Sequence, residues 1–164
     1  MTDAHPFQER QSLQDYFRIL MHTVVGQAFT AAGYELLEEP MQWLGGRFRY
    51  MKPLPNALNA YIEFQVLVYN DNAWSSGQAS RFRVSLYRSD KAGGKSSKHP
   101  DFVYRHLSEL VVQDFGVSIL PSADYWWEFK DTDSLGKALA EAGHLVIGYA
   151  IPWLSGDLNP DTDA

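Results

Sequence analysis

Tyr61-Ile-Glu-Phe-Gln-Val-Leu-Val-Tyr69 and Arg81-Phe-Arg-Val-Ser-Leu-Tyr87 alternate in step. The even positions are apolar: Ile62, Phe64, Val66 and Val68 in the first stretch, Phe82, Val84 and Leu86 in the second. The odd positions are mostly polar or aromatic: Tyr61, Glu63, Gln65 and Tyr69, then Arg81, Arg83, Ser85 and Tyr87. Successive side chains of an extended chain point to opposite faces, so the alternation predicts two strands with one buried and one wet face. Turn formers fill residues 70–79, which predicts a long-loop hairpin with Trp74 at its tip. Closure about the loop centre sets Tyr69 opposite Arg81, Leu67 opposite Arg83, Gln65 opposite Ser85 and Glu63 opposite Tyr87. A slip of two residues keeps these faces and changes the partners.

The same reading extends outward. Residues 43–51 predict a strand with Phe48 and Tyr50 on one side and Arg47 and Arg49 on the other. Gly45-Gly46 marks a bulge or turn, and Pro53 and Pro55 end the strand. Residues 125–130 predict a short strand with Tyr125, Trp127 and Phe129 on one face and Trp126, Glu128 and Lys130 on the other. Leu13, Tyr16, Phe17, Leu20, Val24, Ala28 and Ala31 recur at helical spacing. Ser12 and Asp15 resemble a capping box at the start, and Gly33 suits the end. A second helical stripe, Leu135, Ala138, Leu139, Ala142, Leu145, Val146 and Tyr149, follows the caps in residues 131–134 and stops at Pro152. Gly143 and Gly148 within it each cost about 1 kcal/mol relative to Ala. Val103, Leu107, Leu110, Val111 and Phe115 predict a helix over residues 101–115.

Helix, antiparallel strands, helix: this order predicts an α+β fold. Its form would be two-layer, with an antiparallel sheet of about four strands and an N-terminal and a C-terminal helix packed on one face. Residues 1–11 are expected to be a flexible N-terminus, 12–154 a single α+β domain and 155–164 an acidic disordered tail.

The 164 residues, 45% apolar and 21% charged, suit one globular domain with a real core. With no cysteine, disulfides, thiolate zinc sites and cysteine nucleophiles are excluded, and a reducing cytoplasm is the expected setting. The first residues show no basic segment followed by an apolar run, so no signal peptide is expected. No apolar run approaches membrane-spanning length, so no membrane partner is expected. A net charge of −6 argues against general nucleic-acid binding, which needs cationic surface to displace counterions.

Tyr125-Trp126-Trp127, and Ala150-Ile-Pro-Trp-Leu154 after a helix, resemble a bacterial family, domain of unknown function family 4304. Arg47-Phe-Arg-Tyr50, Phe82-Arg-Val-Ser-Leu86 and the helix-first order are similar to it too, so the resemblance covers roughly residues 10–155. It implies a cytoplasmic bacterial α+β domain, brings no established activity and transfers no catalytic residue.

The wet face is the first candidate site. Arg47, Arg49, Arg81, Arg83 and Lys130 oppose Glu63 and Glu128, a net of +3 on an acidic chain. With Tyr61, Tyr87 and Trp126 beside them, these groups suit a small anionic ligand or a protein partner, through arginine forks and ring stacking. The plainer reading is a solvated sheet face of mixed charge. The alternative is a Mg²⁺-dependent nuclease: Pro100-Asp101 followed by Glu128-Phe129-Lys130 matches the PD-(D/E)-x-K pattern. In that pattern two carboxylates hold the metal and the lysine steadies the attacking water. The five histidines (His5, His22, His99, His106, His144) form no ligand set in the sequence, and His22 reads as a satisfied helix residue. No Gly-x-Ser-x-Gly elbow is present, and Gly93-Gly-Lys-Ser96 lacks the full phosphate-loop spacing. Asp131 and Asp133 read as helix caps. No metal or cofactor is assigned. Pairing of edge strands between copies would turn the exposed aromatics into a homo-oligomer interface.

Overall fold

The computed structural model describes residues 6–68, 79–92 and 95–160, with side chains from Ser12 onward. The fold is α+β, as the element order predicted. Its sheet is open and antiparallel with six strands: β1 (Glu35–Leu36), β2 (Arg47–Leu54), β3 (Leu58–Leu67), β4 (Ser80–Ser89), β5 (Val103–His106) and β6 (Trp127–Phe129). β1 to β5 lie side by side in chain order. β6 also pairs with β4, so β5 covers Ser85 to Arg88 and β6 covers Ser80 to Phe82 along one edge. Two short strands end to end leave little of that edge for another chain to pair with.

The helices are α1 (Pro6–Ala31), α2 (Pro40–Leu44), α3 (Thr132–Leu145) and α4 (Ile151–Leu154). No helix among the described residues is long and apolar enough to cross a membrane. α1 starts at Pro6, not at Ser12, so Ser12 caps nothing and residues 6–11 belong to the helix. Its buried side is Phe17, Met21, Val25 and Phe29. Of the predicted stripe only Phe17 is fully buried, while Leu13, Tyr16 and Val24 flank α3 instead, lining grooves beside it. Two partners meet α1, the sheet and α3, and this widens its apolar side beyond a single stripe. Phe17 lies 5.8 Å from the ring of Phe48 and 5.4 Å from that of Phe82, and Phe29 lies 5.0 Å from Tyr50. The even residues of β2 to β4 therefore face the helices, as their alternation required.

α3 begins at the predicted cap: Asp131 Oδ1 accepts from the backbone N–H of Ser134, whose Oγ accepts from Asp131 N–H. That first bond holds the Asp131 carboxyl below its usual pKa. Gly143 belongs in this helix because a Cβ there would lie 2.9 Å from Val25 Cγ1 on α1. Pro152 does not stop the helical path. A π-helical stretch, Val146–Ala150, precedes it, and α4 takes the proline into its first turn. A π-turn widens the backbone, which relieves the clash of an interior proline with the carbonyl four residues back.

Two more expectations change. Trp43 lies in α2, and β2 runs through Pro53 to Leu54, proline being tolerated near a sheet edge. Between them Gly46 has φ +75° and a Cβ there would meet Val66 O at 2.5 Å, so only glycine fits the turn. Residues 101–115 are not one helix. Val103–His106 form β5 because the edge of β4 offers hydrogen-bonding partners, and a π-helical turn, Glu109–Asp114, follows. Beyond α4, Asp157 and Leu158 N–H donate to Pro152 O, and Asn159 and Pro160 line a groove with Trp153.

Candidate functional site

The pairing registers lay the outer sheet face out in rows. Met51, Tyr61, Tyr87 and Tyr104 form one; Arg49, Glu63, Ser85 and His106 the next. Arg47, Gln65 and Arg83 form a third, and Leu67, Arg81 and Glu128 a fourth. The β3–β4 hairpin is thus slipped by two residues from closure about its loop centre: Leu67, not Tyr69, faces Arg81, and Tyr61, not Glu63, faces Tyr87. The faces survive the slip because the side-chain period is two. Tyr69 and Trp74 lie outside the described residues.

The first two rows are closed around Arg49, Tyr61, Glu63 and Tyr87, while Tyr104 and His106 on β5 are half-buried. Tyr61 and Tyr87 stack at 4.8 Å, and Tyr87 and Tyr104 at 5.8 Å. Arg49 is the hub. Its Nε and Nη2 donate to the two carboxylate oxygens of Glu39 at 3.0 and 2.5 Å. Its Nη1 donates to Tyr87 Oη at 2.9 Å and to the Ala92 carbonyl at 3.0 Å, and its guanidinium lies 4.9 Å from the Tyr61 ring centre. Tyr87 in turn donates to Glu63 Oε1 at 3.3 Å, and Lys95 Nζ donates to Glu63 Oε2 at 2.8 Å. Arg49 is 8% exposed, Glu63 2% and Tyr87 0%. The Glu39 fork raises the Arg49 pKa further, and burial pushes the Tyr87 phenol well up. Arg49, Tyr61, Glu63 and Tyr87, expected at a ligand surface, are therefore buried, and the polar groups of Arg49, Glu63 and Tyr87 are engaged within the fold. Glu39 ahead of α2 and Ala92 and Lys95 beyond β4 help to close this half of the face.

The third and fourth rows are more open. Arg47, Gln65, Arg81 and Arg83 are half-buried. Trp126 emerges beside them, its ring centre 4.6 Å from the Arg83 guanidinium. Arg83 Nε is buried without a hydrogen-bond partner among the described residues. Among the described residues neither Arg47 nor Arg83 has a carboxylate at ion-pair distance. At the border of the closed rows, Ser85 Oγ and His106 Nδ1 share a hydrogen bond of 3.0 Å, and the His106 backbone N–H donates to Glu109 Oε1 at 2.9 Å. Burial lowers the His106 pKa, and the Arg83 cation lowers it further.

The nuclease residues are not brought together. The Asp101 carbonyl accepts from Arg88 Nε at 2.8 Å, just beyond the Arg88–Val103 pair. Glu128 stands opposite Arg81 at the other end of β4. Seven residue steps along β4 separate those ends by about 23 Å, whereas one Mg²⁺ needs both ligands about 2 Å away. Lys130 lines a groove with Tyr16 and Asp131 rather than a carboxylate pair. Among the described residues no three His, Asp or Glu side chains gather for a metal. His22 is satisfied by Tyr50 Oη at 2.7 Å, and His99 Nδ1 accepts from Asp101 N–H at 3.0 Å.

Sequence reasoning missed Glu39, Lys95, Tyr104 and His106. The alternation of Tyr104 and His106 was a readable signal, overridden by the helical spacing around it. Glu39 and Lys95 carry no local signal, because their roles depend on where loops cross the sheet. No family model, curated protein or solved structure matches the chain.

Proposed function

We propose that this chain is a non-catalytic binding protein that takes an anionic group on the open half of its outer sheet face. The observation that carries this reading is the row Arg47–Gln65–Arg83: two arginines flank a glutamine with no carboxylate at ion-pair distance among the described residues. Strands about 4.8 Å apart set the two arginine Cα atoms about 10 Å apart, so both guanidinium groups can reach one carboxylate- or phosphate-sized group. Trp126, with the Arg83 guanidinium over its ring, restrains that group and offers a ring to an aromatic part of the ligand. The ligand is a small anion or an acidic segment of a protein partner. The resemblance to domain of unknown function family 4304 belongs to the same proposal, and the absence of cysteine supports a cytoplasmic setting. The separation of Asp101 from Glu128 gives the nuclease reading no support.

Thermal-shift and calorimetric titration with sulfate, inorganic phosphate, citrate and nucleoside monophosphates tests the reading. At least one should stabilise the wild-type protein and fail to stabilise the Arg47→Ala, Arg83→Ala double variant. Equal responses from the two proteins would sink it.

A further inference from the structure

Resting on this anion reading, we propose that His106 is the proton-controlled arm of the site. The protonated ring joins Arg83 in holding the anion, so that binding tightens as the pH falls. The sheet register carries the argument. His106 stands opposite Ser85, and Arg83 lies two residues along β4 on the same face. Such diagonal neighbours are about 7–8 Å apart at Cα, within reach of two long side chains. The ring is held on several sides. Nδ1 is bonded to Ser85 Oγ, the backbone N–H to Glu109, and the ring meets Tyr104 edge-on at 5.7 Å. That leaves Nε2 as the ring's free edge among the described residues.

The charged groups that face this ring come from four places. Arg83 on β4 and Lys95 beyond it disfavour the imidazolium; Glu109 on the π-helical turn and Asp124 ahead of β6 favour it. Burial outweighs each of them, so the free protein keeps His106 less protonated than an ordinary histidine. An anion seated at Arg83 cancels the repulsion from that cation and gives an imidazolium N–H an acceptor. The histidine pKa is then higher in the bound state than in the free state, and binding takes up a proton. The extra affinity is complete below the free-state pKa and is lost as pH rises through the bound-state pKa.

Sulfate is the probe, because its charge does not change across the range. Calorimetric titration from about pH 8 down to about pH 5 spans the histidine range. The wild-type Kd should fall by about fivefold or more, the lower end of usual site-to-site couplings. His106→Gln, which can still bond Ser85, should keep its pH 8 affinity throughout. The same tightening in His106→Gln, or a flat wild-type profile with binding present, overturns the proposal and leaves the anion reading standing. Absence of sulfate binding at every pH overturns the anion reading and the proposal with it. Imidazole NMR gives a readout that needs no ligand: the His106 titration should move to higher pH in Arg83→Ala. An unmoved titration there overturns the coupling.

Discussion

Arg49 and Arg83 lie on the same face of the same sheet, in adjacent rows, yet they live in different surroundings. Arg49 spends its donors on Glu39, Tyr87 and the Ala92 carbonyl, under cover of loops. Arg83 rests on Trp126 with a buried Nε that bonds no described residue. A guanidinium satisfied by its own fold serves stability; one left with open valences at a half-buried surface is available to a ligand. The contrast teaches that alternation assigns a side chain to a face, while the loops crossing that face decide what the side chain can do there.

The largest expected effect tests the closed half. Arg49→Ala leaves a part-buried Glu39 without its cation and takes one donor from the Tyr87 hydroxyl, so it should destabilise the fold by about 3 kcal/mol in urea unfolding. Tyr87→Phe keeps the ring stacks and removes one acceptor and one donor between Arg49 and Glu63. A loss of about 1.5 kcal/mol is expected. Lys95→Ala strips the buried Glu63 carboxylate of its cation. Lys95 is itself partly exposed, its side chain at 37%, so the expected loss is only about 1 kcal/mol. Arg83→Ala in the open half should cost about 0.5 kcal/mol, the stacking on Trp126, while abolishing anion binding. If Arg83→Ala destabilises as much as Arg49→Ala, the division of the face into two halves collapses.

The smallest effect sits at the border between them. The His106 pKa is lowered in the folded protein, so the folded state binds fewer protons than the unfolded one. Stability is therefore full above the ordinary histidine pKa of about 6.5 and declines as pH falls toward the folded value. His106→Gln should flatten that part of the stability–pH curve. An identical decline in the variant would show that other groups produce it.

Much of the fold was legible in the chain itself. Alternation in residues 61–67 and 81–87 assigned the buried and outer faces correctly, and Asp131 and Ser134 formed the expected cap. What failed shares one physical cause: local patterns were answered by distant partners. Residues 103–106 sit in a strand because β4 had an open edge, although their apolar spacing suited a helix. Leu13 and Val24 are on the flank of α1 because α3 claims part of that helix. Gly143, which a propensity scale penalises, is what lets α3 approach Val25 closely.

The candidate site divides along the same line. Sequence by itself determined that Arg47, Arg49, Arg81 and Arg83 share a face opposite the core, since period-two geometry needs no tertiary information. Only the tertiary structure decided that Arg49, Glu63 and Tyr87 are withdrawn into an internal network while Arg47 and Arg83 are not. That outcome depends on where Glu39, Ala92 and Lys95 cross the sheet, and a loop's path is set by the elements it joins rather than by its own residues.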